Sequence, residues 1–420
     1  MKTLLVVLGT RGDVEPFLSV GEKLAAEGHE VRYCLPAQLG HLVPQRFDWT
    51  PLDPGFLEML DGPDGRALMS GYLPPLAKIR AVSRLARQGI DVNRTVVQQQ
   101  IQSLEDWNPE QVICHPKCSV PLLWALQNGR RFAFLSPIPF YVHEDPRQPH
   151  TGFNGSFGAF FNRLTYRLIN LALSVATWDS ARKLSGLRRL TVPKIYREIQ
   201  RAKFLFAVSP SLYGREPSWG PNVQILGHST RDNSQKEPDP RLLDFLARHD
   251  RVLVLTFGSM TSAQPERASQ VIYECLRAIG CPVVVILASG GLIRLPEFED
   301  DTKFCFVETV SYPDLLPHAN AIIHHGGSGT THLGLKFGCP TLVIPHIFDQ
   351  FTWGGLIASL GVGPAPVAVN KLRAKDLTTR IRDLLENPRY HHAALRIASA
   401  MKSEQNLLDL SAFLEAQDPP

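Results

Sequence analysis

The stretch that decides the fold is a run of two histidines, glycines and hydroxyl residues, His324-His325-Gly326-Gly327-Ser328-Gly329-Thr330-Thr331. An apolar run at 321–323 precedes it, and 333–338 continues it with a helix-like composition. This order predicts a buried strand, a glycine turn and the start of a helix. A helix N-terminus offers unpaired N–H groups and a positive dipole end, and glycines let a ligand approach the backbone. The stretch therefore predicts a phosphate site; the alternative is an ordinary strand-to-helix turn.

Composition limits the classes of protein that the chain can represent. Its 420 residues suggest about two domains, and 44% hydrophobic with 20% charged residues is typical of a globular protein. The net charge of +4 is too small to indicate nucleic acid, but it permits an anionic ligand or weak attraction to an anionic membrane. No signal peptide is visible, and no run approaches the ~18 apolar residues of a spanning helix. We expect a cytoplasmic protein that can touch a membrane.

The cysteines fit the same compartment. There are seven of them, most within apolar segments, which predicts buried free thiols in a reducing environment. Cys114 and Cys118 flank His115, but no second ligand pair follows at a zinc-like spacing. We therefore expect no metal site there.

Apolar runs and helical spacings alternate along the chain. A buried strand at 3–8 is followed by a loop at 9–16, a helix at 17–27 and a second strand at 30–35. This alternation is interrupted by a polar, proline-containing segment at 230–240 and restarts at 252, so we predict two doubly wound α/β domains. The predicted segments are an N-terminal domain at 1–228, a linker at 229–248, a C-terminal domain at 249–400 and a final helix at 401–420, which could pack back on the N-terminal domain.

Three turns of the C-terminal half follow strands and should meet at one edge of a parallel sheet. They are Gly258-Ser259-Met260, 326–330 and Asp349-Gln350. The first two offer hydroxyl and backbone N–H groups, and the third offers a carboxylate and an amide suited to sugar hydroxyls. In the other half, Asp13 follows the first strand, and it is a candidate base, a cap of the following helix or an ion-pair partner of Arg11. The pattern predicts a phosphate-bearing donor in one half and a base in the other.

Aromatic residues are dense between 151 and 173. They indicate an apolar acceptor wall or a membrane-touching helix, or else a helix packed in the core. The candidate acceptor-binding residues are Arg11, Phe140, Tyr141, Phe153, Phe157 and Phe160.

The loop Gly9-Thr10-Arg11-Gly12-Asp13-Val14-Glu15-Pro16, the 324–331 turn and Asp349-Gln350 together resemble glycosyltransferase family 1 of the GT-B fold. The runs 349–355 and 361–364 are similar to the sterol and lipid glucosyltransferase branch, and the antibiotic-aglycone glycosyltransferases share the first loop. The resemblance implies two Rossmann-like domains facing across a cleft. It also implies an inverting transfer of a hexose, usually from UDP-glucose, to a hydroxyl of a hydrophobic acceptor such as a sterol, lipid, polyketide or flavonoid.

The resemblance also assigns roles. His325 would contact the diphosphate together with Gly327, Ser328, Gly329 and Thr330, while Ser259 supports the phosphates, Asp349 and Gln350 hold the sugar, and Val310 and Ser311 lie where the base is held. Asp13 would be the general base. A free aspartate, with a pKa of ~3.9, is weakly basic, and burial in an apolar cleft would raise this pKa.

No D-x-D motif, by which other glycosyltransferases hold a divalent cation, occurs in the chain. The helix N-terminus and His325 could stabilise the leaving diphosphate instead, so we predict no metal and no cofactor besides the UDP-sugar. The predicted partners are this donor, a hydrophobic acceptor and a membrane surface touched peripherally, without nucleic acid. Two alternatives stay open: a nucleotide-sugar epimerase on the same scaffold, and a nucleotide-sugar-binding partner without turnover.

Overall fold

The computed structural model describes residues 1–69, 73–139, 141–151, 153, 155, 157–184, 186–187, 189–229, 231, 239–262, 264–288, 290–404 and 408–416. Phe140 and eight residues of the predicted linker, 230 and 232–238, lie outside these residues.

Two parallel sheets organise the described residues. The first has the order β3-β2-β1-β4-β5-β6-β7 and the second the order β10-β9-β8-β11-β12. The strands are β1 Lys2–Val6, β2 Glu30–Pro36, β3 Asp48–Leu52, β4 Gln111–Cys114, β5 Arg131–Ser136, β6 Lys203–Phe206, β7 Val223–Ile225, β8 Val252–Thr256, β9 Val283–Ile286, β10 Phe304–Val307, β11 Ala319–His324 and β12 Thr341–Val343. Every pairing within them is parallel, and the central strands are buried on both faces. The prediction of two Rossmann-like domains is confirmed.

Helices connect the strands, as parallel pairing requires. They are α1 Arg11–Ala26, α2 Gly55–Asp61, α3 Pro63–Met69, α4 Pro75–Trp107, α5 Val120–Gln127, α6 Ala159–Ala181, α7 Val192–Arg201, α8 Pro240–Arg248, α9 Pro265–Ile279, α10 Pro296–Glu299, α11 Tyr312–Leu315, α12 Ser328–Lys336, α13 Asp349–Ser359, α14 Ala374–Glu386, α15 Pro388–Lys402 and α16 Leu410–Glu415, with short 3-10 helices at Ala37–Leu42, Leu316–His318 and Val369–Lys371. None of the helices in the described parts of the chain is both long enough and apolar enough to cross a bilayer.

The described residues form two compact units. The first consists of the described residues within 1–60, 84–231 and 406–420, and the second of those within 61–83 and 232–405. Segment 61–83, predicted as part of the N-terminal domain, joins the second unit, where Met69 packs against the hydrophobic core. At the other end of the chain, Leu410 and Leu414 of α16 are buried in the core of the first unit.

The loop predicted at 9–16 is shorter in the structure, because α1 already begins at Arg11. The Asp13 carboxylate accepts a hydrogen bond from the Thr10 backbone N–H over 2.9 Å. A carboxylate at this position satisfies one of the amides at the helix start and interacts favourably with the dipole. The helix-capping role weighed for Asp13 is therefore present.

Candidate functional site

The turn predicted to bind phosphate lies between β11 and α12 in the second unit. Gly326 has a φ of +93°, and a Cβ atom there would lie 2.7 Å from Val343 Cγ1 and 2.9 Å from the Gln350 carbonyl oxygen. Both the left-handed backbone and the close packing require glycine. Its N–H donates over 2.9 Å to Nδ1 of His324, a fully buried residue at the end of β11. The turn is thus held rigidly against the sheet.

The His325 ring lies between two glycines. A Cβ on Gly258 would come within 2.8 Å of Cε1 of this ring, and a Cβ on Gly327 within 2.4 Å of Nε2. His325 is 6% exposed, and the Nδ1 atom of its ring is buried without a hydrogen-bond partner among the described residues. Burial, assisted by His324 and His346, holds the pKa of His325 well below its usual value. A neutral imidazole with an unused nitrogen is suited to hydrogen-bonding a ligand.

The first turn of α12 carries the other predicted phosphate contacts. The N-cap is Gly327, which brings no side chain of its own, and Ser328, Gly329 and Thr330 follow. Ser328 and Thr330 are half-buried, and Gly329 has no atom within 4 Å of a would-be Cβ. The amides at the start of a helix lack intrahelical partners, so this end of α12 can take an anion.

The strand register brings a second turn beside the first. His324 of β11 pairs with Thr256 of β8, so the turn containing Ser259 begins at the same sheet edge. Ser259 is exposed there, while Val310 and Ser311, after β10, are half-buried. The side chain of Val310 packs against the hydrophobic core, so its backbone, and not its side chain, is available to contact a nucleotide base.

Asp349 and Gln350 begin α13 and differ in their surroundings. Phe348, directly before them, has a φ of +48°, a strained conformation for a bulky residue and one that is often found at functional sites. Asp349 is half-buried. Gln350 is 5% exposed, and its Oε1 accepts from the backbone N–H groups of His346 at 2.8 Å and Ile347 at 3.2 Å. The Gln350 amide thus fixes the loop before α13, a role that sequence reasoning missed.

In the first unit, Asp13 is the centre of a charged cluster with Lys117 and His115. Lys117 Nζ lies 3.1 Å from both carboxylate oxygens of Asp13, and His115 Nε2 lies 3.3 Å from Oδ1. His115 Nδ1 accepts the Lys117 backbone N–H over 3.1 Å, so the proton of the neutral ring is on Nε2 and points to Asp13. Asp13 and His115 are 9% and 1% exposed.

This cluster corrects the expected pKa of Asp13. Burial does push the pKa upward and is the largest single influence, as we expected. The Lys117 ammonium and the hydrogen bond from His115 act together in the opposite direction and outweigh it, so the pKa of Asp13 lies well below its usual value. Asp13 is therefore an ionised, hydrogen-bonded carboxylate at neutral pH.

Sequence reasoning missed Lys117 and assigned His115 no role at Asp13. Both follow β4, which pairs with β1 in the sheet, so they share a sheet edge with the start of α1. The signal that could have found them is a polar His-Pro-Lys turn directly after a buried strand. The cysteines beside them have other contacts: Gln100 donates to Cys118 Sγ over 3.3 Å, and burial raises the pKa of the Cys114 thiol.

The candidate acceptor residues do not form one wall. The ring of Tyr141 lies 6.0 Å from that of His115, beside the Asp13 cluster. Phe153 is half-buried and meets Phe157 edge to face, whereas Phe157 and Phe160 are 49% and 72% exposed. Arg11 is exposed as well and pairs with Glu15 over 3.0 Å. Phe140 lies outside the described residues.

Comparisons with known proteins agree with this arrangement. Residues 3–55 match the glycosyltransferase family 28 N-terminal domain, and residues 278–415 match the erythromycin biosynthesis protein CIII-like C-terminal domain. The chain is 27% identical to a sterol 3-beta-glucosyltransferase of Arabidopsis thaliana, over 97% of this chain and 66% of that protein. It is 27% identical to the O-mycaminosyltylonolide 6-deoxyallosyltransferase of Streptomyces fradiae, over 99% and 97%.

The chain thus spans 66% and 64% of the length of two similar plant sterol glucosyltransferases. Among solved structures, the calicheamicin glycosyltransferase CalG4 aligns with a TM-score of 0.70 at 16% identity, over 100% of this chain and 99% of that one. At this identity the likeness establishes the fold. The chain therefore has the GT-B fold, and its sequence is similar to those of sterol glucosyltransferases and antibiotic glycosyltransferases.

Proposed function

We propose that the protein transfers a hexose, with glucose as the first candidate, from a UDP-sugar to a hydroxyl of a hydrophobic acceptor, with inversion at the anomeric carbon. The observation that carries the proposal is the ionised Asp13 carboxylate, held between Lys117 and His115 in the unit predicted to bind the acceptor. The names of the sterol relatives support glucose as the sugar.

The donor would bind at the 325–330 turn. The amides at the start of α12 and the free nitrogen of His325 would hydrogen-bond the diphosphate. Both are fixed before the ligand arrives, since the His325 ring lies between Gly258 and Gly327. Preorganised donors of this kind stabilise negative charge that develops on a leaving group. Asp349, at the start of α13, would hold the sugar hydroxyls.

In the transfer step, the acceptor oxygen bonds to the anomeric carbon while the bond from that carbon to the diphosphate breaks. The electron pair of the broken bond leaves on UDP, and Asp13 takes the acceptor proton. An ordinary hydroxyl would need a stronger base than a carboxylate with a depressed pKa. A hydroxyl oxygen that is bonding to the anomeric carbon becomes strongly acidic, so a carboxylate that stays ionised suffices.

The acceptor class is the least defined part of the proposal. Relatives named for sterols and for an antibiotic aglycone support a large, hydroxylated and mostly apolar molecule. Because such acceptors partition into membranes, the proposal includes a peripheral contact with a membrane. A cytoplasmic location belongs to it as well, since the cysteines are free and all but Cys281 are buried.

The proposal is tested by UDP release from UDP-glucose, with and without a panel of hydroxylated hydrophobic acceptors, and by mass spectrometry of the products. We expect release that depends on the acceptor, and a product heavier by one hexose. UDP binding without release in the presence of any acceptor would support a binding protein, and conversion of the sugar without an acceptor would support an epimerase. Either result would overturn the proposal.

A further inference from the structure

Helix α6 buries its polar side chains and exposes its apolar ones. The buried positions recur every three to four residues and are mostly small or polar: Asn162, Thr165, Tyr166, Asn170, Ser174, Thr177 and Ala181. The exposed positions form a second row on the opposite side, the α6 apolar stripe: Phe160, Phe161, Leu164, Leu168, Leu171 and Val175. Surface helices normally have the reverse arrangement, with their apolar face against the core.

The polar face is fixed by specific hydrogen bonds. Asn162 Nδ2 donates to the Pro146 carbonyl over 2.9 Å, and Asn170 Nδ2 donates to the Val142 carbonyl over 2.7 Å. The His150 backbone N–H donates to Thr165 Oγ1 over 2.9 Å. Because the backbone groups of 142–150 depend on these side chains, the helix cannot rotate its apolar stripe inward without leaving buried polar groups unpaired.

The stripe is large enough to be an interaction surface. It extends over residues 160–175, which is about 22 Å of helix at the usual rise. The exposed fractions of Phe160, Phe161 and Leu168 are 72%, 58% and 54%. Single exposed apolar residues are normal in proteins, whereas a continuous row of this length marks a surface that binds something.

The charge of the sequence segment that contains the stripe indicates which partner the stripe fits. Residues 159–201, which include α6 and α7, contain nine Lys and Arg against two Asp and Glu, a formal charge of +7, although the whole chain carries only +4. Arg163 and Arg167 are exposed on α6, and Arg167 pairs with Glu144 over 2.7 Å. Bulky apolar residues flanked by basic ones are typical of helices that lie in the interface of an anionic bilayer.

We propose that the α6 apolar stripe docks the protein on an anionic phospholipid bilayer, with the stripe inserted among the acyl chains and the neighbouring basic residues at the headgroups. This deepens the proposed membrane contact and rests on that part of the proposed function, but it is independent of the transfer reaction. A second copy of the chain and a dissolved acceptor are the competing occupants.

The test is flotation of the full chain, without donor or acceptor, with vesicles of phosphatidylcholine alone or of equal parts phosphatidylcholine and phosphatidylglycerol. The variant Leu168→Ser/Leu171→Ser removes two side chains of the stripe, which are 54% and 50% exposed. The matched control is Leu126→Ser/Leu243→Ser, on α5 and α8, where the leucines are 45% and 50% exposed. Arg163→Glu tests the charge separately, and circular dichroism checks that all variants fold.

We expect the wild type and the control to bind the mixed vesicles equally and phosphatidylcholine alone weakly. The stripe variant should bind the mixed vesicles at least about tenfold more weakly, and Arg163→Glu should weaken only the binding that depends on anionic lipid. Equal binding by the stripe variant and the control would overturn the proposal, as would no binding by the wild type. The proposal would also be overturned if the wild type formed a dimer that the stripe variant does not form, and neither protein bound lipid. It would be overturned as well if the stripe variant had a raised KM for a water-soluble acceptor while its vesicle binding was unchanged. Absent UDP release with intact vesicle binding would refute only the transfer reaction.

Discussion

Replacing Lys117 by methionine removes the positive charge beside Asp13 while keeping most of the side-chain volume. In the wild type, two contacts of 3.1 Å from Lys117 Nζ, and the hydrogen bond from His115, outweigh the effect of burial on the pKa of Asp13. An adjacent opposite charge lowers a carboxyl pKa by roughly 1–3 units. Without Lys117, burial should dominate, and the pKa of Asp13 should rise by about that amount.

The direction of the accompanying stability change follows from linkage. A carboxyl whose pKa is depressed in the folded state adds stability above its unfolded pKa of ~3.9 and loses it as the pH falls toward the folded value. Breaking a buried ion pair costs about 3–5 kcal/mol. Because the Lys117 side chain is 32% exposed, we expect a smaller loss, about 1–3 kcal/mol at pH 7.

The assay is the pH dependence of kcat/KM for UDP release, whose acid limb reports the pKa of the base in the free enzyme. We expect the acid limb of Lys117→Met to lie about 1–3 pH units above that of the wild type. The control Lys117→Arg keeps the charge and should keep the wild-type limb, and urea unfolding at each pH excludes loss of fold. An unchanged acid limb in a folded Lys117→Met enzyme would refute the electrostatic role of Lys117.

Three further outcomes are expected. Gly327→Ala should weaken UDP binding about tenfold, measured by calorimetry, because the added Cβ would lie 2.4 Å from His325 Nε2 and displace the ring. The control is Gly355→Ala, whose Cβ would have no atom within 4 Å and which should bind UDP like the wild type. Burial lowers the pKa of His143 to about 3, so the unfolded chain takes up a proton at this residue at a higher pH than the folded protein does. The contribution of His143 to the free energy of unfolding is therefore full above pH ~6.5 and declines as the pH falls toward ~3. In urea unfolding, His143→Leu should flatten this decline by up to about 1.4 kcal/mol per pH unit, and an unchanged slope would contradict the assignment. UDP release should survive EDTA, because helix α12 and His325 stabilise the leaving group; loss of activity that Mn²⁺ restores would disprove this.

The parts of the fold that the sequence predicted are those specified locally. Continuous apolar runs at 3–8 and 252–257 gave strands of parallel sheets, because such strands are buried on both faces. The 324–331 stretch predicted the turn between β11 and α12 correctly, because glycines between a strand and a helix leave few other conformations. The boundaries were less accurate, and α1 begins six residues before the predicted helix because Asp13 caps it.

Some contacts were not predicted because they join residues far apart in the chain. Others were not predicted because one side chain could have made either of two different contacts. Lys117 lies 104 residues from Asp13, and only the pairing of β1 with β4 brings them together. The amide of Gln350 could equally bind a sugar or its own loop, and the structure has it on the backbone of 346–347. Likewise, the aromatic residues near Phe160 fitted a core helix or an exposed one, until the polar face of α6 was seen to be buried.

The central claim is that the Asp13 carboxylate accepts the proton of the acceptor during transfer. It is tested most directly by Asp13→Asn, which keeps the size of the side chain and removes its charge, in acceptor-dependent UDP release at saturating UDP-glucose. UDP binding to the same variant is measured by calorimetry. We predict that transfer falls by about 10²–10⁴-fold while UDP binding stays at the wild-type level. Transfer close to the wild-type rate in a folded Asp13→Asn protein would contradict the account.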